Sequence, residues 1–358
     1  MPQSRRCPIR FVRIAVVASV GLLPWGGPPA SAAKPPSGTS TGKARMFMVN
    51  PVQSSGDQSL SDQKDIAAAV PQSTYAVAEL RNLDGSGTLS GLYVNVRSNT
   101  GKAAYSADNT FMYDRSQDDF EQVMAYFWVN QAQEYLISLG FGQNPQLPGI
   151  LSRPYDVRID QWGVDNSFMT DKKDLLRFGK GGVDDAEDAE VIVHEYGHAV
   201  QNDQVKGFGT SLDGGSIGES FGDYFAVSVG LDAAQKYGWP VQAESACPMD
   251  WDATSYTGAP HCIRRFDLGL TLDQRRGEVH FDGQIWSQAL WEIRGDYVAL
   301  GIGTKRWDTT LIAAQFDMSP TTTFAAAAEV TTAKARSRDG KKAADAVRAR
   351  FAARGINF

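Results

Sequence analysis

Residues 191–200 of this 358-residue chain read Val-Ile-Val-His-Glu-Tyr-Gly-His-Ala-Val, an apolar segment that contains two histidines and a glutamate. The apolar residues predict a buried helix that begins near Asp185. His194 and His198 are four residues apart, so on a helix they share one face at about 5–6 Å and both imidazoles can bind one ion. Buried imidazoles are costly without a partner. The pattern therefore predicts a metal site rather than two core histidines that met by chance.

The glutamate between the histidines indicates which chemistry the metal supports. A His-Glu-x-x-His helix is typical of zinc peptidases, in which the histidines bind zinc and the glutamate handles the proton of a water molecule activated by the metal. Glu195 is that glutamate. A catalytic zinc also needs a third protein ligand and one open position. A longer form of the motif has a third histidine at position 204, but this chain has Gln204, so another residue must serve.

Glu219 is the best candidate for the third zinc ligand, because the metal otherwise lacks an anion. Asp223 follows one turn later on the same face and could orient a zinc-binding imidazole by a hydrogen bond. Two alternatives remain. Ser216 and Glu219 have the spacing of a capping box, in which the glutamate only caps its helix. Asp213 is a rival for the third ligand.

His280 is a further candidate, since it lies just before a predicted helix. A histidine can donate a hydrogen bond to the oxyanion that develops during acyl transfer. The alternative is an ordinary surface or core histidine.

Five acidic residues precede the zinc helix. A calcium site is compatible with them. Acids also favour helix N-termini without any ion, and we favour that simpler interpretation, so calcium is left unassigned. The residues are Asp184, Asp185, Glu187, Asp188 and Glu190.

The N-terminus predicts export. Residues 1–13 carry four arginines, residues 14–25 are an apolar run, and Ala30-Ser31-Ala32 has the pattern of a cleavage site. A run of 12 residues is too short to span a bilayer. Residues 1–33 are therefore predicted to be a secretory signal peptide rather than a membrane anchor, and the protein is predicted to be secreted.

Charge and cysteine content describe the exported chain. The net charge of −6 becomes −10 once the four arginines of residues 1–33 are lost. An acidic protein is a poor partner for nucleic acid or for an anionic membrane surface, so neither is expected. Cys247 and Cys262 are the cysteines that remain, and in an oxidising compartment they are predicted to form a disulfide.

The order of elements predicts an α+β fold, with strands before residue 180 and helices after it. Residues 84–87 predict a turn that joins two strands as a hairpin. We divide the chain into a signal peptide (1–33), a β-rich segment that is either a first lobe or a pro-region (34–110), an N-terminal catalytic lobe with the zinc helix (111–205) and a helical C-terminal lobe (206–358). Predicted helices span 116–139, 216–230, 281–299, 304–316, 322–336 and 341–353, and predicted strands include 155–161 and 175–178.

These motifs resemble a known family. The strings His194-Glu195-Tyr196-Gly197-His198, Gly218-Glu219, Asp223-Tyr224-Phe225-Ala226 and Glu278-Val279-His280 are similar to those of the fungalysins, thermolysin-like metallopeptidases of the gluzincin clan. The resemblance covers roughly residues 110–358. It implies a two-lobed thermolysin-like fold, with a β-rich N-terminal lobe, a mainly helical C-terminal lobe and zinc in the cleft between them.

The resemblance also implies residue roles. It implies that His194, His198 and Glu219 bind one zinc ion per chain and that Glu195 is the general base that activates water. Asp223 would support a zinc-binding histidine, and His280 would stabilise the tetrahedral intermediate. Asn166 and Ser167 would belong to an edge strand that binds the substrate backbone.

Some features depart from the pattern. Thermolysin has a tyrosine between the second histidine and the glutamate that also stabilises the oxyanion, whereas residues 199–218 contain none. Arg264 or Arg265 is a candidate to bind a substrate carbonyl. The segment before residue 110 is shorter than the large pro-region usual in such enzymes.

We therefore predict a secreted, monomeric zinc endopeptidase that hydrolyses internal bonds of proteins or peptides. One alternative is a secreted protein that keeps the zinc site for binding or inhibition without activity, although the retained Glu195 argues against it. Another is an exopeptidase on the same scaffold, but the chain has no acidic motif of the Gly-x-Met-Glu-Asn type that would bind a substrate amino terminus.

Overall fold

Strands occupy the first half of the chain and most helices the second half, as predicted. The computed structural model describes residues 39–98, 101–170, 173–241 and 245–358, all within one compact unit of residues 36–358; the predicted signal peptide lies outside these ranges. The strands are β1 (Ser40–Phe47), β2 (Tyr75–Leu83), β3 (Val94–Ser98), β4 (Thr110–Phe111), β5 (Tyr155–Ile159), β6 (Phe168–Thr170) and β7 (Leu175–Arg177). The helices are α1 (Pro51–Ser55), α2 (Asp118–Ser138), α3 (Ala189–Gln204), α4 (Leu212–Tyr237), α5 (Val279–Ala299), α6 (Thr304–Gln315), α7 (Phe324–Asp339) and α8 (Lys341–Ala353).

The strands form two sheets. β1 lies between β2 and β4, antiparallel to β2 and parallel to β4. The second sheet has the order β3-β5-β7-β6, in which β6 is outermost and runs antiparallel to β7. The predicted hairpin at residues 84–87 is wrong, because β2 and β3 belong to different sheets and only an isolated bridge between Leu83 and Gly91 spans the turn. The turn residues bend the chain back so that Leu83 meets Gly91, but β2 pairs along its length with β1, from Ser40 opposite Leu83 to Phe47 opposite Tyr75.

Helix α2 forms the centre of the N-terminal half and is buried on nearly all sides. The ring of Phe47 in β1 packs against Phe120 with centroids 4.8 Å apart. The indole N–H of Trp128 donates to the carbonyl of Phe47 at 3.2 Å. Residues 39–111 therefore share a hydrophobic core with α2.

Helix α3 carries the two histidines of the motif and begins later than predicted. A 3₁₀ turn occupies residues 185–187, and Asp188 then caps α3 by accepting the backbone N–H of Glu190 at 2.9 Å. Helix α4 begins earlier than predicted, because Ser211 caps it through the N–H of Gly214 at 3.1 Å. Glu219 lies two turns inside α4, so the capping-box alternative for this residue is wrong.

Two glycines allow helices to approach closely at the motif. A Cβ atom at Gly222 of α4 would lie 2.6 Å from Nδ1 of His194, which is too close for any side chain. A Cβ at Gly283 of α5 would lie 2.8 Å from the carbonyl of Ser216 in α4. Glycine at these positions brings α3, α4 and α5 together at one point.

Helices α5 to α8 form the C-terminal part, and each was predicted to within three residues at either end. Within the four described ranges, no helix combines the length and the apolar character that crossing a membrane requires.

Candidate active site

A cleft of about 470 Å³ lies where α3, α4 and α5 meet the edge strand β6. The motif residues His194, Glu195 and His198 line it from α3. Glu219 lines it from α4 and His280 from the first turn of α5. The structure therefore brings these five predicted residues to one place.

Three of these side chains point a nitrogen or an oxygen at a common centre. Nε2 of His194 and Nε2 of His198 are 3.1 Å apart. Oxygens of Glu219 lie 3.3 Å from Nε2 of His194 and 3.5 Å from Nε2 of His198. Tetrahedral zinc with bonds of about 2.0–2.1 Å requires ligand atoms about 3.3 Å apart. These separations, which involve both oxygens of Glu219, fit ligands of a single zinc ion, and all three residues line the cleft.

The other nitrogen of His194 is also bound. Nδ1 lies 2.8 Å from Oδ1 of Asp223, and Arg264 holds that carboxylate through Nε at 2.6 Å and Nη2 at 2.5 Å. When Nδ1–H donates to Asp223, the lone pair of Nε2 is free for a metal. Asp223 is one turn after Glu219 on α4, so a single helix supplies both carboxylates.

The charges of this cluster favour a cation. Burial lowers the pKa of His194, but hydrogen bonds to Asp223 and Glu219 outweigh it and raise that pKa to about 10. Burial lowers the pKa of His198 to about 4. Burial acts to raise the pKa of Glu219, but the charges of the two histidines hold it below its usual range. The same carboxylates that favour a proton on His194 favour a divalent cation.

Glu195 lies beside these atoms, with a carboxylate oxygen within 4.8 Å of a ring nitrogen of His194 and of His198. The side chain is buried, and within the described part of the chain its Oε2 has no hydrogen-bond partner. Burial raises the pKa of Glu195 to about 7, while the backbone N–H of Met169 lowers it. A carboxylate with a pKa near neutrality and one unpartnered oxygen facing a cleft is suited to accept and return a proton.

His280 reaches the same centre from α5. Its Nε2 lies 3.4 Å from Oε2 of Glu219, and its Nδ1 lies 2.6 Å from Oε1 of Glu278. The imidazole is about half exposed to the cleft. Nδ1 is thus bound to Glu278, and Nε2 is the ring nitrogen on the side of Glu219 and the cleft.

The structure shows which of the remaining predicted residues line the cleft. Asn166 and Ser167 line the cleft just before β6. Arg264 lines the cleft, whereas Arg265 pairs with Asp267 at 2.7 Å. Asp213, the rival ligand, forms an ion pair with Arg275 and accepts the N–H of Phe324 at 3.2 Å, and it is not among the residues lining the cleft.

The acids before α3 do not form one exposed helix-terminal cluster. Glu187 is buried and pairs with Arg115 at 2.8 Å. Glu190 accepts the backbone N–H of Met249 at 2.6 Å. Only Asp188 has the capping role expected of an acid at a helix N-terminus.

Sequence reasoning missed part of the cleft wall. Asp165, Asp185, Asp252 and Tyr256 all line it. Asp185 was noted only as one of the acids before the zinc helix, and no motif marked the other three, because the four residues come from three separate segments and meet only in the fold. A disulfide between Cys247 and Cys262 closes the loop that carries Asp252 and Tyr256.

Comparisons with known proteins identify the family of the chain. Residues 28–355 match the family described as fungalysin metallopeptidase (M36). Extracellular metalloproteinase 2 of Phaeosphaeria nodorum is 28% identical over 120 residues, and probable extracellular metalloproteinase 4 of Trichophyton verrucosum is 30% identical over 118. Each alignment covers 30% of this chain and only 17% of the relative.

A solved structure supports the fold. The precursor of protealysin, a metalloproteinase from Serratia proteamaculans, superposes with a TM-score of 0.53 at 17% identity, covering 77% of this chain and 91% of that chain. This similarity confirms the predicted α+β, thermolysin-like fold. Because the family match extends over nearly the whole sequence, the chain belongs to the fungalysin metallopeptidase family.

Proposed function

We propose that the chain is a secreted, zinc-dependent endopeptidase. The observation that carries the proposal is that Nε2 of His194 and Nε2 of His198 lie 3.1 Å apart and that each lies within 3.5 Å of an oxygen of Glu219. Two imidazoles and one carboxylate are a ligand set of catalytic zinc sites with an open fourth position. Glu195 lies next to that position, which distinguishes a peptidase site from a purely structural metal site.

The residues divide the reaction between them. Zinc held by His194, His198 and Glu219 would polarise the scissile carbonyl and lower the pKa of water. Glu195 accepts a proton from the attacking water molecule while the oxygen of that water forms a bond to the carbonyl carbon. Glu195 then returns the proton to the amide nitrogen as the carbon–nitrogen bond breaks. His280 donates Nε2–H to the oxyanion that forms in between.

Substrate binding follows from the position of β6. This strand is outermost in its sheet among the described residues, and Asn166 and Ser167 lead directly into it along the cleft. An extended peptide can add to such an edge through backbone hydrogen bonds. Backbone recognition along a strand suits cleavage within a chain, which supports an endopeptidase over an exopeptidase.

We also propose that residues 39–110 belong to the mature enzyme and that residues 1–33 direct its export. The nitrogen of the Asn50 side chain donates to Asp188, the cap of the zinc helix, at 3.1 and 3.2 Å. Gln53 donates to Asp250 at 3.1 Å. Removal of this segment would take a side-chain donor away from each of these two buried carboxylates. The matched relatives are named as extracellular proteins.

An assay of casein degradation tests the function. Purified protein is expected to produce internal fragments, to lose activity in 1,10-phenanthroline, and to regain it when zinc is added. Activity that survives the chelator would contradict the zinc mechanism. Release of single terminal residues without internal fragments would contradict the endopeptidase assignment.

A further inference from the structure

One wall of the cleft is acidic and has no part in the proposed chemistry. Carboxylate oxygens of Asp165, Asp185 and Asp252 lie within 4.8 Å of one another. Asp165 is exposed, whereas Asp185 and Asp252 are only 2% and 4% exposed. The three residues, here called the acidic pocket, thus have one carboxylate at the mouth and two at the floor.

The floor of the acidic pocket contains unsatisfied acceptors. One oxygen of Asp185 accepts the hydroxyl of Ser167, and one oxygen of Asp252 accepts the hydroxyl of Tyr256 at 2.9 Å. Within the described ranges, Oδ1 of Asp185 and Oδ1 of Asp252 are buried without any hydrogen-bond partner. A buried carboxylate oxygen left in this state is costly, so the pocket is built to receive a donor from the cleft.

The charge around the pocket indicates a cationic donor. Among the described residues that line the cleft, Arg264 is the only lysine or arginine, and it is bound to Asp223. Burial raises the pKa of Asp185 to about 8. The pKa of Asp252 is also raised, mainly by burial and secondly by the negative charge of Asp185. A bound cation would restore the ionised form of both.

The pocket is close to the reacting centre. Asp185, Asp252 and Glu195 all line the same cleft. Val191 and Ile263 add apolar surface to the same cleft. A long basic side chain has an apolar stem and a charged end, and a guanidinium can bind two carboxylate oxygens at once.

We propose that the acidic pocket binds the arginine or lysine side chain of a substrate residue next to the scissile bond, so that the enzyme prefers basic sequences. This inference rests on the proposed peptidase function and names its substrate class. A calcium ion bound by the three carboxylates is the competing occupant. The opening of the pocket onto the substrate cleft beside Glu195 favours the side chain.

Matched peptides test the preference. Pairs of fluorogenic peptides are compared, and the two members of a pair differ only in whether they carry arginine or citrulline. One pair has this residue before the scissile bond and the other has it after the bond. Citrulline has the size of arginine without its charge. The wild-type enzyme should favour arginine at one of these positions by at least about tenfold in kcat/KM, the effect of a charged hydrogen bond. Equal rates at both positions would overturn the proposal, and this comparison needs no variant.

Variants locate the effect. Asp185→Asn and Asp252→Asn should each reduce the arginine-to-citrulline ratio about tenfold. Asp174→Asn is the matched control, because Asp174 is a half-exposed acid that pairs with Arg153 and does not line the cleft, and its ratio should equal that of wild type. A preference that survives both pocket variants would also overturn the proposal.

A binding measurement distinguishes failure of the proposed peptidase function from failure of the acidic-pocket proposal. The Kd of each peptide for the Glu195→Gln variant is measured, where turnover is removed. Tighter binding of the arginine peptide with no hydrolysis by wild type would contradict only the peptidase function. Hydrolysis without arginine preference would contradict only the acidic pocket. Calcium alone protecting wild type but not Asp185→Asn from heat, with no arginine preference, would assign the pocket to calcium.

Discussion

Oδ1 of Asp223 lies 2.8 Å from Nδ1 of His194. This contact fixes the imidazole so that Nε2 faces Glu219 and His198, and Arg264 in turn fixes the carboxylate through two hydrogen bonds. The orientation of one proposed zinc ligand thus depends on residues that never touch the metal.

Asp223→Asn tests that dependence. The amide keeps the size of the side chain but removes the charge that favours Nδ1–H on His194. Zinc affinity should fall about 10- to 100-fold, as is typical when such a partner is changed. Competition with a chelating dye measures it. Unchanged zinc affinity would show that Asp223 has no such role.

Glu195→Gln separates metal binding from catalysis. The amide cannot accept the proton of the attacking water, so turnover should fall at least about 100-fold. Zinc content should match wild type, because Glu195 is not one of the three proposed ligands. A variant that retains a tenth of the wild-type rate would rule Glu195 out as the base.

Glu219→Gln should lower zinc affinity about tenfold or more, with activity following it, because the metal loses its anionic ligand. Asp213→Asn should keep zinc, since Asp213 pairs with Arg275 outside the cleft. Zinc content is measured after dialysis against a weak chelator. Loss of zinc from Asp213→Asn together with retention in Glu219→Gln would reverse the assignment.

Asp184 gives a prediction for stability. Burial, followed by the charge of Asp65, raises the pKa of Asp184 from 3.8 to about 8. An acid with a raised pKa in the folded state binds its proton more tightly there than in the unfolded state. The contribution of Asp184 to the free energy of unfolding is therefore most favourable at low pH and is lost as pH rises from about 4 towards 8. Asp184→Asn removes this loss. Its thermal midpoint should exceed that of wild type by about 2–4 °C at pH 8 and by less at pH 5.

Scanning calorimetry without added divalent cations checks the effect of Asp184→Asn. Asp174→Asn, at a half-exposed site, is the control and should leave the midpoint unchanged at both pH values. A difference between Asp184→Asn and wild type that is the same at pH 5 and pH 8 would contradict the raised pKa.

Local sequence signals predicted the helices well but not the strand pairing. Helix periodicity and end signals lie within a few residues of each other, so α2 and α5 to α8 were found nearly at their true bounds. The start of α4 was missed because Ser216 offered a competing cap, whereas the cap that forms is Ser211. Strand pairing depends on contacts far apart in the chain, and so the predicted hairpin at residues 84–87 failed.

The residues of the candidate site likewise divide into those that local spacing identifies and those that only the fold brings together. His194, Glu195 and His198 lie in one helical turn and could be identified from spacing alone. Glu219 and Asp223 were proposed from their spacing and from the need of the metal for an anionic ligand, but their approach to α3 depends on Gly222 and a helix packing that no local pattern specifies. Asp185 and Asp252 are 67 positions apart in the sequence, and only the folded chain brings them together.

The proposed function requires that His194, His198 and Glu219 hold one zinc ion. Anomalous diffraction from crystals of the purified protein, with data collected on both sides of the zinc absorption edge, detects such an ion. A single strong peak is expected about 2.0–2.2 Å from Nε2 of His194, Nε2 of His198 and an oxygen of Glu219. No peak at this point, or a zinc ion bound there without Glu219, would show that these three residues are not the ligand set.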